Sequence, residues 1–394
     1  MVVANAFTTA SRVRREVRSI SAKGYEIHAL CWDRQGRHPQ RETIDRCQVL
    51  NVRFGRTEGL PFSKIYYLLA AVFFQLSILF WVVKWVRNVN SVILHAHDFN
   101  TLLGCAASKK LLKNHVRLIY DCHELTPGLY QEWYGTVVAG IVDRLENAAL
   151  ANADAIVSVN EAVHTHLTDK HSVRSILVYN CPARAEIPDL QPIDAKKRLA
   201  LQGFFVVLFA GWVRQDYDFA LILKAARELK KRGVYDVRFV FIGPKETMES
   251  LTAAVAEENL EMFFDFRGWV PNHELMLYYL ASDLCYAVTS KLGPSTQVLT
   301  PIKMFESMAC GVPVIVREGT LAAQIVHAWR CGIILAPERN DLFTQLIELK
   351  ENRGELSALG SGGRRAFRLV FNWDSMAERL LQLYSELQVG IRKE

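Results

Sequence analysis

Short apolar runs that end in turn residues alternate with helix-length stretches along this chain, and that rhythm restricts its possible folds more than any other feature. Residues 2–5 read as a strand, 12–23 as a helix with a basic face that stops at Gly24, and 25–32 as the next strand. Strand, helix and strand within about 30 residues make a βαβ unit. Strands at 94–97, 118–121, 155–159 and 176–179 continue the series, with helices predicted near 99–113 and 136–152. Buried strands joined by helices imply a parallel sheet covered on both faces.

A stretch richer in proline, from Asn180 through Pro182, Pro188 and Pro192, reads as a linker, after which the rhythm resumes. Strands are predicted at 204–211, 238–243, 265–268, 284–288, 314–317 and 332–335, with helices near 217–232, 246–258, 273–281, 301–310 and 320–328. Asn372-Trp373-Asp374-Ser375 starts a last helix over about 373–388. The predicted fold class is α/β: two Rossmann-like doubly wound domains, over 1–180 and 203–372, joined by a linker at 181–202. The length of 394 residues fits two such domains. Ligands of doubly wound sheets bind at the carboxyl ends of the strands, so a site facing a cleft between domains is expected.

Charge is unevenly placed. Residues 1–120 hold 18 Lys/Arg against 7 Asp/Glu, and the remainder 29 against 34, so a net +11 stands beside −5. A basic first third points to contact with an anionic surface, either nucleic acid or the cytoplasmic leaflet of a membrane. Residues 65–83 are nineteen without a charge, flanked by Lys64, Lys84 and Arg87 and by Tyr66, Tyr67, Trp81 and Trp85. That length suits a transmembrane helix. A strand follows within a few residues, however, and must rejoin the sheet begun at 2–5. The helix is therefore expected in the core or at a membrane interface, with Phe73, Phe74, Leu79, Trp81, Lys84 and Arg87 as candidate membrane contacts. No secretory h-region precedes Arg12, and the eight cysteines form no C-x-x-C pair, which suits buried thiols in a reducing cytosol.

One segment carries more chemistry than the rest: Pro301-Ile302-Lys303-Met304-Phe305-Glu306, continuing through Gly311-Val312-Pro313-Val314. Amides at a helix start can meet a diphosphate, and a carboxylate there can accept ribose hydroxyls. Asn5-Ala6-Phe7 leading to Arg12, His95-Ala96-His97-Asp98, Tyr120-Asp121-Cys122-His123-Glu124 and Val178-Tyr179-Asn180-Cys181-Pro182 are further motifs at strand ends. With these residues the chain resembles, over essentially its whole length, the retaining glycosyltransferases of the two-Rossmann GT-B type, family 4. The resemblance implies a nucleotide-diphosphate sugar donor, with Glu306 on the ribose and Gly211, Gly243, Pro301 and Ile302 lining its pocket. Backbone near Val270 would meet the base. It places His123 on the transferred sugar with Glu124 and Asp98 nearby, puts Asn5, Phe7, Arg12 and His97 on the first-loop or acceptor side, and returns the last helix, 373–394, to the first domain.

Departures from that pattern are equally specific. Where members carry an Arg and a Lys for the diphosphate, this chain has Trp212 and Tyr217; Arg214 and Lys303 are the candidate substitutes. Val298 stands where the first of two glutamates is usual, as in a subset with Pro-x-Lys in the same region. Asp216-Tyr217-Asp218 spells Asp-x-Asp but reads as a helix start, so no metal and no cofactor besides the donor substrate are expected. The expected function is retaining transfer of a hexosyl group to a lipid-linked or membrane acceptor in polysaccharide or glycolipid assembly, at the cytoplasmic face of a membrane. Two alternatives stay open: a binding-only partner subunit, since positive charge at the leaving group is sparse, and a sugar-nucleotide epimerase of the same fold. Nucleic acid is disfavoured, because no aromatic platform interleaves the basic residues.

Overall fold

The computed structural model describes residues 1–54, 64–112, 115–214, 217–290, 292–336 and 341–392, the side chains of 64–68, 272–273 and 389–392 excepted. The chain divides into two units, Met1–Tyr179 with Ser375–Glu394, and Asn180–Asp374.

Eight strands form the sheet of the first unit: β1 (Val2–Val3), β2 (Ile27–Trp32), β3 (Arg41–Ile44), β4 (Cys47–Val52), β5 (Val92–His97), β6 (Val116–Cys122), β7 (Ala155–Ser158) and β8 (Arg174–Leu177). Their order is β3-β4-β2-β1-β5-β6-β7-β8. Val2 pairs with Leu30 on one side and Ala96 on the other, so the strand order reverses around β1 and opens a crevice at the carboxyl edge. β3 corrects the expectation of a purely parallel sheet, because it pairs antiparallel with β4 at the edge. Its residues alternate between exposed and half-buried, which suits an edge strand and hides it from a search for apolar runs.

The helices of this unit are α1 (Ser11–Ser21), α2 (Lys64–Val86), α3 (Phe99–Leu112), α4 (Thr126–Tyr134), α5 (Thr136–Leu150) and α6 (Glu161–Thr168). By length and composition α2 could cross a membrane. Yet Ala70, Phe74, Ile78, Val82 and Val86, spaced by four, are buried in the core of the unit, with Phe74 stacked on Trp32 at 5.2 Å. Leu69, Val72, Phe73, Leu76 and Phe80 occupy the opposite face and are exposed. Of the residues expected to meet lipid, Phe74 is therefore core. Leu79 and Trp81 are half-buried, and Phe73, Lys84 and Arg87 are exposed. Tyr66 and Tyr67 have side chains outside the described set.

The second unit holds β9 (Phe205–Ala210), β10 (Val237–Ile242), β11 (Phe264–Gly268), β12 (Leu284–Ala287), β13 (Val314–Arg317) and β14 (Gly332–Leu335), all parallel, in the order β11-β10-β9-β12-β13-β14. Around them lie α7 (Pro192–Arg198), α8 (Phe219–Lys231), α9 (Lys245–Glu257), α10 (Asn272–Leu280), α11 (Pro294–Gln297), α12 (Ile302–Cys310), α13 (Leu321–Trp329), α14 (Leu342–Glu351) and α15 (Arg353–Leu369). The stretch expected as a linker thus contains a helix, held by Lys196 on Asp283 and on the Phe204 carbonyl. The last helix, α16 (Trp373–Arg392), packs in the first unit: its Met376 sulfur accepts from the Tyr179 amide, and Tyr384 meets His95.

The two faces of α2 give a direct test. Phe74→Ala removes a fully buried ring and should cost about 3–5 kcal/mol, whereas Phe73→Ala should stay within about 0.5 kcal/mol. Urea unfolding followed by tryptophan fluorescence distinguishes them, and equal losses would overturn the assignment of faces.

Candidate functional site

At the carboxyl edge of the first sheet, α1 delivers Arg12 across the end of β1. The guanidinium forks onto Asp121 at the end of β6, Nε donating to Oδ2 at 2.9 Å and a terminal nitrogen to Oδ1 at 2.8 Å. It also donates to the Val178 carbonyl at 2.6 Å and lies 3.0 Å from Glu16. Burial opposes the charge on Asp121, but Arg12 and His123 outweigh it and hold the carboxyl well below its usual range. Glu16 is pushed well above the carboxylate range, first by burial and then by Asp121, while Arg12 opposes the shift.

His123 follows β6 and lies between two carboxylates. Its Nδ1 is 3.2 Å from Asp98 and its Nε2 3.2 Å from Asp121, while its backbone amide donates to Asp98 Oδ1 at 3.0 Å. Burial works against protonation, and the two carboxylates overcome it, pushing the ring up to about 10. At neutral pH His123 is an imidazolium donating from both nitrogens. The two cations Arg12 and His123 thus stand beside the carboxylates of Asp121 and Asp98. His95 and His97, stacked at 4.3 Å, are pushed down chiefly by burial and remain neutral.

Glu16, His95, His97 and Asp121 gather their donor atoms within 4.8 Å of one another, a ligand set suited by type to a divalent metal. The guanidinium of Arg12 already lies against both carboxylates. A metal there would place charge beside that buried cation, and both Glu16 oxygens and the Nε2 atoms of His95 and His97 are buried without a hydrogen-bond partner among the described residues.

Phe7, Arg12 and His97 are buried in the wall of the crevice. Asn5 and Glu124 are exposed, and Asp98 is intermediate with a left-handed φ of 65°. That strained position lies where the backbone turns from β5 into α3 beside His123. Asp121, Glu16 and Tyr384 were not singled out from sequence. Asp121 lay within a quoted motif, but the contact of Tyr384 with His95 joins residues 289 apart, which no local pattern signals.

In the second unit, β9, β10 and β11 end side by side at Gly211, Gly243 and Gly268. A Cβ on Gly243 would fall 2.1 Å from the Gly211 carbonyl oxygen, so this floor must be bare backbone. The start of α12 faces it. Pro301 caps that helix, and Lys303 and Glu306 are buried along it while Ile302 is half-buried. Glu306 accepts from the Tyr279 hydroxyl at 2.8 Å. The Lys303 ammonium lies 3.6 Å and 3.8 Å from the ring centres of Phe209 and Tyr217, and a Cβ on Gly211 would sit 3.4 Å from it.

Tyr217 therefore stands under Lys303, which brings to residue 217 the cation its own side chain lacks. Arg214 and Trp212 are exposed, and Val270 and Val298 are half-buried. Asp216 lies outside the described residues. Asp218 stands at the N-cap position of α8, as the helix-start reading expects, but makes no side-chain cap hydrogen bond and lies 3.8 Å from Arg317.

Removing one carboxylate tests the charge on His123. Asp98→Asn should bring its titration down from about 10 towards the ordinary imidazole range, followed by the Cε1 proton in an NMR pH series. An unmoved titration would show that Asp98 does not hold the charge.

Comparison with known proteins adds three findings. Residues 8–180 match the glycosyl transferase 4-like domain and 191–366 the glycosyl transferases group 1 family. A 2-deoxystreptamine glucosyltransferase of Streptomyces kanamyceticus is 28% identical over 240 residues, which span 59% of this chain and 59% of that protein. The structure is similar to sucrose-phosphate synthase from Thermosynechococcus elongatus, with a TM-score of 0.76, 17% identity and 98% of each chain covered. It is also similar to Anabaena HepE, solved with UDP and glucose, with a TM-score of 0.70, 14% identity and 98% of each chain covered. Both likenesses are of fold.

Proposed function

We propose that this chain, whose two domains belong to the glycosyl transferase 4-like and group 1 families and whose fold is GT-B, transfers a hexosyl group from a nucleoside-diphosphate sugar to a lipid-linked acceptor. The observation that carries this reading is the bare backbone floor of Gly211, Gly243 and Gly268 beside the amides, Lys303 and Glu306 of α12. A floor without side chains lets a diphosphate approach, and the helix start and an ammonium oppose its charge. Glu306, oriented by Tyr279, is the carboxylate for the ribose. HepE, a protein of the same fold, is solved with UDP and glucose, which supports this class of donor.

The acceptor falls to the first unit, and the anomeric configuration is retained. His123 cannot take the acceptor proton, because it already carries one at neutral pH. In this reading the proton passes to the departing phosphate oxygen in a front-face attack. His123 and Asp98 contact the sugar, with one carboxylate contact exchanged for a sugar hydroxyl. The exposed stripe of α2, with Lys84 and Arg87 at its end, supports docking on anionic lipid and so a lipid-linked acceptor for polysaccharide or glycolipid assembly.

A thermal-shift panel of UDP-, GDP- and TDP-sugars should show stabilisation by one of them. Glu306→Ala should weaken that donor by roughly 10- to 100-fold, and unchanged affinity would remove Glu306 from the donor site. Serine at Phe73, Leu76 and Phe80 together should release the protein from phosphatidylserine vesicles in flotation; undiminished flotation would count against membrane docking.

A further inference from the structure

Lys303 is a buried cation with no carboxylate within salt-bridge distance among the described residues. The ammonium rests on the faces of Phe209 and Tyr217, and its open side is the backbone of Gly211 at the carboxyl edge. Two aromatic faces stabilise a cation, but they do not neutralise it. The position is thus set up for an anion that is not part of the protein. We propose that Tyr217, with Phe209, is the seat that positions the Lys303 side-chain nitrogen for the donor diphosphate, and that the uncharged amine takes up a proton from solvent there as the donor binds. The proposal rests on the donor-site reading above and adds to it a positioning residue and a proton.

The proton follows from the surroundings. Burial pulls the Lys303 ammonium down to about 7, and Cys285 and Glu306 only partly offset it. Cys285, on β12, is itself pushed up to about 12 by burial and stays a neutral thiol. Glu306 lies one turn along the same helix and is bonded to Tyr279 of α10. On α15, Arg364 meets the far end of α12 at the Cys310 carbonyl. Around neutral pH, then, a substantial share of free protein holds Lys303 uncharged, and a diphosphate that favours the charged form must draw a proton from solvent.

The sign is fixed. Affinity should fall as pH rises through 7, by up to tenfold per unit, until the raised value in the complex is reached.

The test is calorimetry of the intact protein with UDP-glucose, GDP-mannose or TDP-glucose, whichever binds. Nucleotide sugars are suitable because their diphosphate has no group titrating near neutrality. Enthalpies compared in HEPES and Tris at pH 7.5 report protons taken up, with an expected value of about 0.7 per donor for a group near 7.

Lys303→Arg, always charged, should bind with uptake near zero. Tyr217→Phe should match wild type, while Tyr217→Leu should lose roughly three- to thirtyfold in affinity. Binding without proton uptake, or uptake that survives Lys303→Arg, would overturn the inference and leave the donor reading standing. Equal affinity in the phenylalanine and leucine variants would remove Tyr217 from its role. Failure of all three sugars to bind would overturn the donor reading and the inference together.

Discussion

A charge withdrawn from water must meet its counter-charge inside the protein, and the pair of Arg12 with Asp121 does this for the whole carboxyl edge of the first sheet. The fork ties α1 to the end of β6, and a further bond to Val178 ties both to the end of β8. Removing one partner of such a pair typically costs about 3–5 kcal/mol, because the other is left buried and charged. The consequences run outward from this contact. With Asp121 held ionised, His123 keeps its proton, and Glu16 beside it is pushed well above the carboxylate range by burial and by Asp121. The first loop is walled by this charge-paired cluster, in which both Glu16 oxygens and the Nε2 atoms of His95 and His97 are buried without a hydrogen-bond partner among the described residues.

The second unit solves the same problem differently. Lys303 is as buried as Arg12 but has aromatic faces in place of a carboxylate. One unit therefore contains an internally balanced charge network, and the other a cation whose balance comes from a ligand. This contrast supports the proposal that the anionic substrate binds the second unit. It also fits the residue at 217: the cation comes from α12, and Tyr217 supplies a ring on which it rests.

Much of the fold was legible because most strands of both sheets are largely apolar, as in β9 and β12, and a parallel sheet buries such strands on both faces. The hairpin of β3 and β4 was not, because Arg41, Glu42 and Thr43 lie on an exposed edge. The helix α2 was visible as an element but not as an orientation, since both its faces are apolar and only packing separates Phe73 from Phe74. Motif reasoning singled out Lys303, Glu306, His123 and Asp98 as candidates. The resemblance set Arg12 on the first-loop or acceptor side, and only the fold brings Asp121, 109 residues away, onto it. The charge asymmetry narrows in the same way. Arg12 is neutralised within the core, and Arg14 and Arg18 pair with Asp45, so the basic surface is smaller than the count over residues 1–120 suggests.

If the donor's anion completes the second unit and its sugar then moves to a lipid, the purified protein incubated with a radiolabelled donor and a membrane extract should carry label into the organic phase on extraction. That label should depend on the protein and be lost in Lys303→Met. A donor that binds normally while no label reaches any extract would contradict this transfer and favour a binding-only role.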